Sequence, residues 1–136
     1  MNITSEPSTA HTGLTVLRLQ GDLDGSNYLE LIAAAKTAQQ GGAKYLLLDL
    51  GGVPYMSSAG LVALHSSVLL FEGKQPPDPE AGWSTLKSVA LNTGGTAQSL
   101  VKLLNPQARV ARTLEMSGMN IFFQIFPDEA AALASF

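Results

Sequence analysis

The sequence predicts an α/β fold: a mixed sheet of four to five strands packed with about four helices. Tyr45 to Leu50 is nearly all apolar, which suits a strand covered on both faces. Gly51, Gly52 and Pro54 break that strand, and Leu61, Leu64, His65, Val68 and Leu69 follow. Their spacing puts them on one face of a helix. Upstream, Thr15, Leu17 and Leu19 alternate with Val16, Arg18 and Gln20, the period of a half-buried strand.

Met1 to Thr4 is short enough for an edge strand ahead of Leu14 to Gln20. Ser26 is the expected N-cap of a helix whose stripe is Tyr28, Leu31, Ile32 and Ala35, and Gly41-Gly42 ends it. The Tyr45–Leu50 strand and the helix to Phe71 come next. The pattern then breaks over Glu72 to Ser99, with Pro76-Pro77, Pro79, Gly82 and Gly94-Gly95. Within it, Trp83 to Ala90 reads as a short helix or as an extension of the previous one. Trp83 is either a partner anchor or a side chain packed over the sheet edge. Leu100 to Leu104 is the next strand. Pro106 suits the start of a helix, with Val110, Leu114 and Ala111 toward the core and Gly118 at its end. Ile121 to Phe126 reads as an apolar edge strand. Asp128 caps a last Ala-rich helix, with Ala131, Leu133 and Phe136 closing over the sheet. Met116 and Met119 are expected as core fillers.

Composition limits the function. The 136 residues suit one domain, at 46% hydrophobic and 14% charged, with a net charge of −3. The eight Lys and Arg are scattered, so a nucleic-acid partner is not expected. The chain contains no cysteine, which excludes disulfides, thiolate catalysis and Cys-based metal sites. The first residues lack the basic and apolar regions of a signal peptide, and the longest apolar stretch is too short to span a bilayer. A cytoplasmic location without membrane insertion is therefore expected. Asn2-Ile3-Thr4 matches the glycosylation pattern by chance on that reading. The motifs Gly-Lys-Ser/Thr, His-Glu-x-x-His and Gly-x-Ser-x-Gly are missing. His65, on the apolar helix face, reads as a core residue and His11 as a turn residue. No catalytic residue, metal site or cofactor is expected.

The strand-to-helix junction is where function would sit. Ser57 and Ser58 precede the helical pattern, where a hydroxyl can accept from the unpaired first-turn N–H groups. Such a serine is a structural cap when bare. Phosphorylated, it would carry about −1.5 to −2 charges in the favourable field of a helix N-terminus. Asp22 and Asp24 flank Leu23 in the loop after the second strand. They are either an acidic contact beside that junction or, for Asp24, a simple charge on the next helix turn.

The run LLLDLGGVPYMSSAGLVAL resembles the signature of the STAS domain, the anti-sigma factor antagonist family. LRLQGDLD, Leu17 to Asp24, resembles the family's second strand. VKLLNPQARVARTLEMSGMNIFFQIF, Val101 to Phe126, resembles its late strand, turn and helix. The resemblance implies a single STAS domain over 1–136, with an insertion at about 72–99. It implies a non-enzymatic regulator that docks on a serine kinase of the anti-sigma type and is reset by a PP2C-type phosphatase. Ser58 falls on the family's phosphoacceptor, with Ser57 as an alternative. Ser57 stands where the family usually has Asp, and Ala59 where it has Ser or Thr; Gly60 and Leu61 match. Asp22, Asp24, Ser57, Ser58, Ala59, Gly60 and Leu61 form the implied partner surface, on a monomer or weak homodimer. A second implied reading is a ligand-binding or scaffold domain without phosphorylation switching.

Overall fold

A computed structural model describes residues 1–8, 11–72 and 100–136. In chain order these form β1 (Asn2–Pro7), β2 (Leu14–Gln20), α1 (Tyr28–Gln40), β3 (Tyr45–Gly52) and α2 (Ser58–Phe71). Then come β4 (Val101–Leu104), α3 (Ala108–Ser117), α4 (Met119–Phe122), β5 (Ile125–Phe126) and α5 (Glu129–Ala134). The five strands lie in sequence order in one mixed sheet. β1 runs antiparallel to β2, and β2, β3, β4 and β5 are parallel to one another.

Both sheet faces are covered, which is why β3 is apolar without a period. On one face Leu17, Leu19, Leu46, Leu48 and Leu50 pack with Leu31 and Ala35 of α1, Leu64 and Val68 of α2, and Val110 and Leu114 of α3. On the other, Leu14, Val16, Leu47 and Leu104 pack under Ala132 of α5. Val16, read as lying on the outer face of a half-buried strand, is therefore buried. Every residue of α2 from Gly60 to Leu69 is buried, so the single apolar face read from its spacing understates its burial. His65 is buried as expected, and burial holds its imidazole pKa below the ordinary value.

Polar groups fix α5 to the sheet. The Arg18 guanidinium binds Glu6 at 2.6 Å, Asp49 at 3.0 Å and Glu129 at 2.7 Å. Those bonds, led by Glu6, raise its pKa. Lys102 is buried and donates to the Ser135 carbonyl and hydroxyl, each at 2.9 Å. Its ammonium lies 4.5 Å from the centroid of the Phe136 ring, and burial lowers its pKa. Asp128 caps α5 as predicted, its carboxylate accepting from the Ala130 N–H.

Several local expectations need correction. Asn27, not Ser26, precedes α1, because the Ser26 N–H and hydroxyl both bind the Asp24 carboxylate, at 2.9 and 2.6 Å. Ile121 to Phe126 is not one strand. Gly118 enters the left-handed region at φ 81° and ends α3. The chain then makes the turn of α4 and pairs only Ile125 and Phe126 with β4. Ile121 is 78% exposed and Met116 79%, so Met116 is not a core filler, whereas Met119 is buried. In α5 it is Ala132, not Ala131, that is buried. The expected helix over Trp83 to Ala90 and nearly all of the expected insertion lie outside the described residues.

Candidate functional site

The loop that leaves β3 is laid against the loop that leaves β2 by backbone hydrogen bonds. Gly21 N–H donates to the Gly52 carbonyl, Leu23 N–H to Tyr55 and Ser57 N–H to Leu23, each at 2.9 Å. Leu23 and Met56 thereby form an isolated parallel bridge, and both are buried. The carboxyl ends of neighbouring parallel strands thus carry the Asp22–Asp24 and Ser57–Ser58 segments side by side.

Gly60 permits this closeness. A Cβ there would lie 2.5 Å from Met56 Cγ, 3.0 Å from Leu23 Cγ and 3.1 Å from the Leu23 carbonyl oxygen. Gly52 has the same role at the strand end, where a Cβ would meet the Leu19 carbonyl oxygen at 2.6 Å.

The two serines differ. Ser57 has the extended backbone of an N-cap, and its carbonyl accepts from Gly60 and Leu61 at 3.0 and 3.3 Å. Its hydroxyl makes no cap bond. Ser57 Oγ is instead buried with no hydrogen-bond partner. The side-chain cap expected from the sequence is therefore not formed at Ser57. Ser58 is the first helical residue and is exposed. Ala59 is half-buried, and Gly60 and Leu61 are buried.

The acids also divide. Asp24 is held by Ser26, whose hydroxyl and then N–H lower its pKa. Its own N–H donates to Asn27 Oδ1 at 3.0 Å. The Asp24 carboxylate thus shapes the loop before α1, while Asp22 is exposed.

The sequence reading missed the contribution of α3. Gln107 donates to the Gly51 carbonyl at 2.8 Å, and the Arg109 guanidinium lies 5.2 Å from the centroid of the Tyr55 ring. Farther along, Ser58 and Leu61 share a mainly apolar cavity of about 300 Å³ with Thr113, Met116 and Ser117. Met116 was the available signal: it is out of helical phase with Val110 and Leu114, so it points away from the core.

Among the described residues no group of three His, Asp or Glu side chains could hold a metal ion. No described helix is long and apolar enough to cross a membrane.

The family model of the STAS domain matches residues 7–73, from the end of β1 through α2 and including both paired loops. Over that stretch the chain is similar to the STAS domain, and its fold is STAS-like. Its fold recurs in solved anti-sigma factor antagonists. The unphosphorylated form of SpoIIAA matches at TM-score 0.64 and 21% identity, over 96% of this chain and 93% of that one. An antagonist from Mycobacterium paratuberculosis matches at TM-score 0.66 and 18% identity, over 98% and 93%. The phosphorylated form of the Bacillus cell fate determinant SpoIIAA matches at TM-score 0.59 and 19% identity, over 98% and 97%. At these identities the likeness is one of fold. No curated protein matches this chain in sequence.

Proposed function

We propose that this STAS-like domain is a non-enzymatic signalling module of the anti-sigma factor antagonist type, acting on transcription through protein–protein contact. It docks on a serine kinase of the anti-sigma type through the paired loops and the start of α2. Asp22, Asp24, Ser57, Ser58, Ala59, Gly60 and Leu61 form or support that surface. Phosphorylation of Ser58 ends docking, because a bulky dianion in an interface shaped for a neutral hydroxyl costs several kcal/mol. A PP2C-type phosphatase restores the hydroxyl. The chain acts as one domain, with 72–99 inserted after α2.

The observation that carries the reading is the contrast between neighbours: Ser58 is exposed at the helix start while the Ser57 hydroxyl is buried. Ser58 is thus favoured over Ser57 as the acceptor. The test is site mapping by mass spectrometry of the chain purified from its own cells, and again after lysate and ATP are added. Phosphate on Ser58, lost in Ser58→Ala, is expected. A phosphate-free chain, or phosphate on Ser57 alone, refutes the switch.

One observation favours a second reading, a ligand-binding or scaffold domain. The cavity between α2 and α3 opens beside Ser58 and is lined by Leu61 and Met116. Thermal shift against nucleotides and lipids, with size-exclusion in parallel, separates the two. Stabilisation by a ligand without any phosphorylation supports the second.

A further inference from the structure

We infer that Arg109 is an intramolecular receptor for a phosphate on Ser58, so that the modified domain is latched by an ion pair between α2 and α3. The inference rests on the reading of Ser58 as the phosphoacceptor and adds what the phosphate meets. Arg109 is exposed, and none of the ion pairs among the described residues involves it. Arg18, by contrast, holds three carboxylates. The Arg109 guanidinium instead lies over the ring of Tyr55, in the loop leading to Ser58, 5.2 Å from the centroid.

Geometry puts the phosphate within reach. Tyr55 and Ser58 are three residues apart, which limits their Cα separation to about 11 Å. Along α3, Arg109 is one turn before Thr113, about 6 Å of rise, and Thr113 lines the same cavity as Ser58. The Arg109, Thr113 and Ser117 stripe therefore runs from the Tyr55 ring to the cavity that Ser58 lines. Gln107, bonded to the Gly51 carbonyl, fixes the start of α3 against this loop. A guanidinium already beside the loop loses less freedom on pairing, and its planar fork can hold two phosphate oxygens. Pairing would draw Arg109 off Tyr55 and across the mouth of the cavity. The off state would then combine a charged Ser58 with a rearranged α2–α3 surface.

The test installs phosphoserine at position 58 by genetic encoding, so it does not depend on any kinase acting on the chain. Phosphorus NMR follows the second ionisation of that phosphate against pH in the parent, Arg109→Gln and Arg109→Lys. An adjacent cation favours the dianion. The phosphate should be at least about threefold more acidic in the parent than in Arg109→Gln, with Arg109→Lys between. The Tyr55 ring resonances should shift on phosphorylation in the parent only. Equal titration curves in the parent and Arg109→Gln would overturn the latch. Failure of Ser58 to be modified in cells would instead overturn the switch while leaving this measurement intact.

Discussion

Gly60→Ala tests how closely α2 is held to the loop after β2. The added methyl would lie 2.5 Å from Met56 Cγ and 3.1 Å from the Leu23 carbonyl oxygen. Met56 is buried and cannot swing into solvent, and the Leu23 carbonyl is fixed by its bond from Ser57 N–H. Overpacking of this kind costs roughly 1–3 kcal/mol. Alanine in a helix offsets at most about 1 kcal/mol of that relative to glycine. Because one neighbour is backbone, the cost falls at the upper end, about 2–3 kcal/mol, and the expected net loss is about 1–2 kcal/mol, read from urea unfolding followed by far-UV circular dichroism. Gly25→Ala is the matched control, since a Cβ there meets nothing within 4 Å; its effect should stay within about 0.5 kcal/mol. If Gly60→Ala proves as stable as the parent or more so, helix propensity has won. The close approach that builds the site would then be refuted.

Three further outcomes follow from buried polar groups. Ser57→Ala should leave stability unchanged or raise it, because its hydroxyl is buried and unpartnered; a loss of about 1 kcal/mol in the same urea assay would restore the cap. Burial holds the His65 pKa below 6.5, so the unfolded chain binds the extra proton first as pH falls. Stability should therefore decline as pH drops below about 6.5, and His65→Leu should flatten that slope in thermal melts; an unchanged slope contradicts the assignment. Lys102→Met removes a buried charge together with its bonds to Ser135. Global stability should move by less than about 1.5 kcal/mol, while hydrogen exchange at the end of α5 should quicken; unchanged exchange there would mean that the lysine does not hold the helix.

The framework was legible where burial is total or the local chemistry is unambiguous. β3 showed itself because both its faces are covered, and the left-handed Gly118 and the Asp128 cap each left a local mark. Ile121 to Phe126 was not legible, because a short apolar run carries no period that separates strand from helix. Gly118 had already turned the chain, and a helical turn followed. At the site, the sequence located the Ser57–Ser58 junction and left open whether the Asp22–Asp24 loop lies beside it. It could not orient the Ser57 hydroxyl, since a cap-type backbone allows the side chain to turn either way. Nor could it foresee Arg109 over Tyr55, a contact between residues far apart in sequence that only the packing of α3 creates. Met116 was misjudged by residue type, although its helical phase already placed it outside.

The central claim is that a neutral, exposed hydroxyl at Ser58 permits docking and a phosphate there forbids it. Isothermal titration of an anti-sigma-type serine kinase from the same genome, with the unmodified and the phospho-Ser58 chain in turn, measures this directly. The account predicts binding of the unmodified chain and an affinity at least about a hundredfold weaker for the phosphorylated one, equivalent to roughly 2.7 kcal/mol. Equal affinity for both forms would contradict it.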